Sequence, residues 1–87
     1  MSSSVVEANP RAQDVLVTED ELTVSLVDGR RVSVPLAWFP RLLHASPAQR
    51  ANWQILDDGE GIHWPDVDED LSVAGILRGT PAPTKSR

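Results

Sequence analysis

The stretch of sequence that decides the fold reads Trp-Phe-Pro-Arg-Leu at 38–42, Arg-Ala-Asn-Trp at 50–53, Ile-His-Trp-Pro at 62–65 and Asp-Val-Asp-Glu-Asp-Leu-Ser at 66–72. It holds all three tryptophans and the one phenylalanine of a chain that has no tyrosine. Large aromatic side chains are costly to leave in water, so the packing of the protein must be organised around this stretch. We refer to residues 38–65 as the tryptophan–arginine block.

The length of the chain, 87 residues, suits one small domain with a modest core. Residues 1–12 and residues 80–87 show no sustained apolar period, and the second segment is rich in proline, serine and threonine. Both are predicted to be disordered, which leaves a folded domain at 13–79. The chain has no cysteine, so neither a disulfide nor a zinc–thiolate site can stabilise it. Its core must therefore be dense for its size.

The charge of the chain favours some partners and disfavours others. The net charge is −5, and residues 13–79 carry twelve acidic residues against five arginines, a formal charge of −7. A negative body repels phosphates and attracts basic proteins, so direct binding of nucleic acid is disfavoured. No apolar run approaches the roughly 18 residues of a membrane span, and no secretory signal pattern opens the chain. We therefore expect a cytoplasmic protein that does not enter a membrane.

Three strands are predicted in the first half of the chain. Residues 15–18 form a β-branched run, and apolar residues then alternate with polar ones over 22–26 and 32–36. The turn between the last two strands has two possible forms. A two-residue turn at Asp28-Gly29 would set both apolar rows against polar partners. A three-residue turn over 27–29 pairs apolar rows with each other and puts Gly29 where glycine has no Cβ penalty, so we predict that form.

The second half of the chain predicts short helices and another hairpin. A helix at 40–45 starts with proline, and a second helix from Ser46 to about residue 53 starts with a capping box. Residues 54–56 and 61–64 flank a polar turn and predict a hairpin. A last helix starts after Ser72, has residues 73, 76 and 77 on its apolar face and ends at Gly79.

Gly75 lies inside that last helix, where glycine costs about 1 kcal/mol relative to alanine. We attribute its presence to a close approach of the helix to the sheet. The predicted fold class is α+β, a small single domain in the order β-β-β-α-α-β-β-α, with antiparallel hairpins packed against short helices.

The acidic run at 66–72 imitates the start of a calcium loop. An EF-hand also needs glycine at its sixth position and a bidentate glutamate at its twelfth, and here those positions hold Leu71 and Leu77. We interpret the run as a solvated turn whose carboxylates face the positive start of the following helix. No metal site is predicted.

The sequence offers no catalytic constellation. His44 and His63 are the only histidines, and neither has a metal-type neighbour four residues on. Ser46 and Ser72 are explained as helix caps, and the chain has no Gly-x-Ser-x-Gly, no phosphate-binding glycine loop and no cysteine nucleophile. We predict a protein that is not an enzyme and has no cofactor. His63, between two apolar residues on a strand, is expected to face away from the core.

The candidate binding residues all come from the tryptophan–arginine block and the acidic run that follows it. Tryptophan and arginine are the side chains most enriched at binding hot spots. The candidates are Trp38, Arg41, Arg50, Asn52, Trp53, His63, Trp64 and Asp68. The alternative is that the tryptophans form the core while the arginines pair with Asp66, Asp68 or Asp70. The binding interpretation and the core interpretation are both true if the tryptophans line the floor of a groove.

Several motifs of this chain occur together in a known family. They are Leu-Val-Asp-Gly-Arg at 26–30, Val-Pro-Leu at 34–36, the tryptophan–arginine block itself, and Asp-Glu-Asp-Leu-Ser-Val at 68–73. In order and spacing, over roughly residues 13–79, they resemble the bacterial domain of unknown function 2442 (DUF2442). The resemblance implies a small α+β domain with no established activity and no catalytic residues to carry over.

The resemblance also implies a kind of function. Some members carry an additional C-terminal helix-turn-helix domain, and none is expected here, which puts autonomous promoter recognition in doubt. Others are encoded beside a small partner protein, in arrangements similar to toxin–antitoxin pairs. The expected function is a non-catalytic interaction or regulatory domain, antitoxin-like, whose partner is a small basic protein encoded nearby. The alternative is a small-molecule or anion-binding domain that uses Arg41, Arg50 and His63 in a tryptophan-lined pocket. The oligomeric state stays open.

Overall fold

The computed structural model describes residues 10–79, which form two three-stranded antiparallel sheets and short helices. The first sheet has the order β1-β2-β3 and the second β4-β5-β6. In chain order the elements are β1 (Ala12–Val17), β2 (Glu21–Leu26), β3 (Arg31–Pro35), α1 (Pro40–Leu43), α2 (Pro47–Ala51), β4 (Gln54–Leu56), β5 (Gly61–Trp64), β6 (Glu69–Ser72) and α3 (Val73–Arg78). Single 3-10 turns precede α1 and β5, at Leu36–Trp38 and Asp57–Gly59. The predicted α+β class is confirmed.

The first strand begins at Ala12, one residue before the predicted start of the domain, and Ala12 is buried. A bulge shifts the β1–β2 register between Ala12 and Asp14, so that the next inward residue is Val15 rather than Asp14. The bulge breaks the two-residue period, and for that reason the sequence pattern did not reveal the start of the strand. Apart from residues 10–12, the segments predicted to be disordered, 1–12 and 80–87, lie outside the described residues.

The hairpin between β2 and β3 has the predicted three-residue turn. Val24 pairs with Val32 and Leu22 with Val34. The N–H of Leu26 donates to the carbonyl oxygen of Arg30 at 2.7 Å, and Gly29 has φ 98°. A glycine is needed there because other residues rarely adopt that backbone conformation.

The helix caps were also predicted from the sequence. Ser46 and Gln49 form the capping box of α2, with the Gln49 N–H 3.1 Å from Ser46 Oγ and the Ser46 N–H 2.9 Å from Gln49 Oε1. Ser72 caps α3, which ends at Gly79 in the left-handed conformation. The first two helices end about two residues before their predicted ends, at Leu43 and Ala51.

Two expectations for α3 are wrong. Leu77 is 37% exposed, although we expected it on the apolar face with Val73 and Ile76. A Cβ built at Gly75 would meet only the Ser72 side chain, 3.7 Å away, which is ordinary van der Waals contact. The described residues thus give no steric reason for glycine at position 75.

The predicted order omitted one strand, β6. Residues 69–72 pair with β5, Ile62 lying opposite Leu71 and Trp64 opposite Glu69. The burial of β6 alternates, with Glu69 and Leu71 buried and Asp70 and Ser72 exposed. The interpretation of the whole acidic run as a solvated turn was therefore wrong for residues 69–72. The strand was hidden because an acidic residue occupies an inward position that apolar residues normally fill.

One hydrophobic core joins both sheets. Its fully buried large side chains are Trp64, Phe39, Leu22, Leu36, Leu42, Ile62, Val24 and Val73. The β4–β5 turn touches the start of β1 at Gly59, where an added Cβ would lie 2.8 Å from Arg11 Cβ and 2.9 Å from the Ala12 carbonyl oxygen. The sheets therefore meet in a close backbone contact as well as in the core. Among residues 10–79, no helix has the length and apolar character needed to cross a membrane.

Candidate functional site

The three tryptophans occupy different environments. Trp64 on β5 is fully buried, and its indole N–H donates to the carbonyl oxygen of Arg50 at 3.0 Å. Trp38 and Trp53 are half-buried and pack against the edge of the core. The block is thus anchored by one core indole and flanked by two indoles with partly accessible surfaces.

Arg50 holds the end of a helix. Its Nε donates to the carbonyl oxygen of Leu42 at 3.0 Å and its Nη2 to that of Leu43 at 2.8 Å. These carbonyls belong to the last residues of α1, which have no partner inside so short a helix. Because the carbonyl of Arg50 in turn accepts from Trp64, this one residue connects α1, α2 and β5.

Arg41 is directed at the turn between β5 and β6. Its Nη1 donates to the main-chain carbonyl oxygen of Asp68 at 2.5 Å and lies 4.0 Å from a carboxylate oxygen of Glu69. Asp68 has φ 55°, so the guanidinium supports a turn residue in the left-handed region. The structure thus brings two candidate residues, Arg41 and Asp68, together through the main chain of Asp68.

The remaining polar candidates also have partners. Asn52 Nδ2 donates to Asp66 Oδ2 at 3.0 Å, which fixes the other end of the same turn. His63 Nδ1 lies 2.5 Å from Asp70 Oδ1 on the neighbouring strand. Since His63 alternates with buried Ile62 and Trp64, it faces the side of the second sheet opposite the core, as its position in the sequence predicts.

Glu69 is an important residue that the sequence did not single out. It is the buried charged residue of the described chain, 8% exposed, and faces the core from β6. Burial raises the pKa of its carboxyl, and the nearby guanidinium of Arg41 opposes that rise. The only available signal was its two-residue spacing from Leu71 in a run that otherwise looks like a turn.

A recess of about 570 Å³ lies away from the candidate residues. Three acidic residues, Asp57, Glu60 and Asp70, line it together with apolar residues that include Pro10, Leu56 and Ala74. None of the eight candidate binding residues is among its lining residues. The polar candidate residues therefore make contacts around turns and helix ends, and this recess lies elsewhere.

The fold and the surface define a class of protein: a small α+β domain of two antiparallel sheets with a tryptophan-centred core and an acidic exterior. The chain belongs to the family described as protein of unknown function DUF2442, whose sequence profile matches residues 12–82. The family resemblance seen in the sequence is thereby confirmed.

Two solved structures are similar to this one. One is the crystal structure of a protein of unknown function from Rhodospirillum rubrum, with 29% identity over 87% of this chain and 94% of that chain, at a TM-score of 0.76. The other is the solution NMR structure of an uncharacterised protein from Chromobacterium violaceum, with 21% identity over 84% of this chain and 69% of that chain, at a TM-score of 0.71. No match to the chain is found among curated proteins. These comparisons establish the fold and the family.

Proposed function

We propose that the chain is a non-catalytic, cytoplasmic protein-interaction domain that regulates a small basic protein, in the manner of an antitoxin and its partner. The observation that carries this proposal is the distribution of charge. Arg30 is paired with Asp28 at 2.8 Å, while Arg41 and Arg50 donate to main-chain carbonyls inside the fold. Half of the six arginines of residues 10–79 are thus engaged within the chain.

The acidic residues outnumber the arginines by twelve to six in residues 10–79, and Asp66 and Asp70 are paired with Asn52 and His63. Within residues 10–79, the ion pairs formed with arginine involve only Asp28 and Glu69. Exposed carboxylates cover the β1–β2 turn at 19–21 and the β4–β5 turn at 57–60. A surface with this excess of negative charge attracts cationic partners and accelerates their association. Such a field supports a basic protein as the partner.

The alternative is a small-molecule or anion-binding domain that uses Arg41, Arg50 and His63. Each of these side chains already has a partner within the chain, and carboxylates of Glu69 and Asp70 stand beside two of them. An anion would have to displace these contacts and approach negative charge. We therefore rank this alternative second.

The proposal is tested by co-expressing the chain with the protein encoded by the adjacent gene and purifying through a tag on the chain. We expect a complex that survives at low salt and weakens as the ionic strength rises from about 50 to about 500 mM, because exposed charges are screened. Failure to recover a complex at low salt would contradict the proposal. Turnover of a metabolite by the pure chain, abolished by His63→Ala, would contradict its non-catalytic part.

A further inference from the structure

The second sheet has an outer face that carries no tryptophan. Strand alternation places Gln54, His63 and Asp70 in one row across this face, and Leu56, Gly61 and Ser72 in the next. The second row lines the recess described above. The recess is therefore a feature of a regular sheet surface, with the middle strand as its floor.

Gly61 leaves the middle of this row without a side chain. It occupies the middle strand between Leu56 and Ser72 and has no side chain to fill the row. A Cβ built at Gly61 would meet its nearest atoms at 3.6 to 3.9 Å, so no steric clash requires glycine there. The φ of Gly61 is not positive, so the backbone conformation does not require glycine there either. The open floor is the physical consequence of glycine at this position.

Carboxylates lie close to Gly61 at the bottom of the recess. The Cβ built at Gly61 would lie 3.8 Å from Asp57 Oδ2, which places this carboxylate at the mouth of the recess. Glu60 and Asp70 line the same recess, and its other walls are apolar at Pro10, Leu56 and Ala74. No lysine or arginine is among the residues that line it in the described chain. The recess thus combines an apolar wall with three carboxylates, of which Asp70 is paired with His63 on the neighbouring strand.

We propose that this cleft receives a lysine or arginine side chain of the protein partner, flanked in the partner by apolar residues. A long basic side chain fits this chemistry because its methylene stem packs on apolar surface while its charged head seeks carboxylates. The choice of a protein as occupant rests on the function proposed above. The location of the site rests on the geometry of Gly61 and Asp57.

The cleft is tested with a probe that does not depend on the natural partner. The full chain is titrated with the peptide acetyl-Ala-Leu-Arg-Leu-Ala-amide, and amide chemical shifts are followed by NMR. We expect saturable shifts at residues 60–61 and 70–72. A peptide in which neutral citrulline replaces arginine is expected to bind more weakly by up to about fivefold, the upper limit for an exposed ion pair.

Variants locate the site independently of the shifts. Asp57→Asn keeps a residue type that tolerates φ 55° and removes the charge, so binding is expected to weaken about two- to fivefold. Gly61→Val fills the floor with a residue suited to a strand and is expected to abolish binding. Glu19→Gln removes one charge from the β1–β2 turn, away from the cleft, and is expected to leave binding unchanged.

Several results would overturn the inference. One is peptide-induced shifts spread over other acidic surfaces. A second is equal binding by Asp57→Asn and Glu19→Gln. A third is chemical-shift changes at the cleft when the concentration of the chain alone is raised, which would place a second copy there. The functional proposal fails separately. If the peptide binds in the cleft but no complex forms with the neighbouring protein, only the proposed function is contradicted. If that complex forms and Asp57→Asn does not affect it, only the proposed role of the cleft is contradicted.

Discussion

The two sheets have three strands each but are stabilised in different ways. The strands of the first sheet have six, six and five residues, and its middle strand β2 buries Leu22, Val24 and Leu26 on one face. The strands of the second sheet have three, four and four residues. This sheet and the two helices before it, α1 and α2, are joined by side chains that donate to main-chain carbonyls, from Trp64, Arg50 and Arg41.

This difference explains the composition of the tryptophan–arginine block. A long hairpin with an apolar stripe satisfies its main-chain groups through the strand ladder and needs little else. Short strands leave more main-chain carbonyls in turns and helix ends, and buried carbonyls without partners are costly. Tryptophan and arginine side chains combine large apolar surface with N–H donors, so they can fill the core and also donate to main-chain carbonyls. We conclude that Trp64, Arg50 and Arg41 join the second sheet to α1 and α2.

The largest effect is expected from Trp64→Ala. Removing a fully buried tryptophan leaves a cavity and an unpaired Arg50 carbonyl, so the free energy of unfolding should fall by about 3–5 kcal/mol. Urea unfolding followed by circular dichroism measures this loss. Trp38→Ala is the control, because Trp38 is only half-buried and should cost less. Equal losses for both variants would break the distinction between a core indole and an edge indole.

A pair of glycines compares the two hairpin turns directly. Gly29 in the β2–β3 turn and Gly59 in the β4–β5 turn have φ 98° and 100°. An added Cβ would meet nothing within 4 Å at Gly29, but at Gly59 it would lie 2.9 Å from the Ala12 carbonyl oxygen. Gly29→Ala should cost about 1–2 kcal/mol from backbone strain alone. Gly59→Ala should cost at least about 1 kcal/mol more. Unfolding free energies that agree within error would show that the contact between the sheets is loose.

A smaller effect of opposite sign is expected in α3. Gly75→Ala should raise the free energy of unfolding by about 0.5–1 kcal/mol, because the helix has room for a Cβ and alanine has the better helix propensity. Thermal unfolding measures the gain, and Gly79→Ala, at a left-handed position, is the control that should lose stability. A loss on Gly75→Ala would mean that this helix approaches its neighbours more closely than the contacts indicate.

The fourth prediction concerns pH and the buried carboxyl of the second sheet. Burial raises the pKa of Glu69 above its ordinary value of 4.5, so the folded state holds this proton more tightly than the unfolded state. Its stabilising contribution is complete below that value and is lost as the pH rises through the folded pKa. Glu69→Gln cannot titrate, so its stability relative to the unaltered chain should rise as the pH increases from below 4.5 through the raised pKa of Glu69.

The first sheet offers a control for that measurement. The Arg30 main-chain N–H and guanidinium hold the pKa of Asp28 below its ordinary 3.8, so its stabilising contribution is lost only as the pH falls below that value. Asp28→Asn should therefore change the acid limb of the stability profile and leave the window of Glu69 unaltered. A difference between Glu69→Gln and the unaltered chain that does not vary with pH would refute the assignment.

The comparison also shows what the sequence could reveal. The alternation of β2 and β3, the turn at Gly29 and the Ser46 and Ser72 caps are local patterns, and the structure confirms each of them. The bulge after Ala12 and the inward Glu69 are departures from local pattern that only tertiary packing makes favourable, and both were missed. Local rules therefore succeeded where a strand or helix is regular.

The candidate residues were predicted as a set, but their contacts were not. Residue type marked Trp64, Arg50 and Arg41 as candidate binding residues, with core packing and ion pairs as the alternative. Their observed partners are main-chain carbonyls of Arg50, Leu42, Leu43 and Asp68, which a sequence pattern cannot specify. The recess over Gly61 left no signal either, because a glycine in a strand is equally typical of a bulge or a close approach. The role of Gly61 became clear only from the strand pairing, which places Leu56 on one side of it and Ser72 on the other.

The most direct test of this account is the urea unfolding of Arg50→Gln. If the guanidinium serves the fold, losing its charge-assisted bonds to the carbonyls of Leu42 and Leu43 should lower the free energy of unfolding by about 2 kcal/mol. An unfolding curve that superimposes on that of the unaltered chain would contradict the account, and would return Arg50 to the set of residues kept for binding.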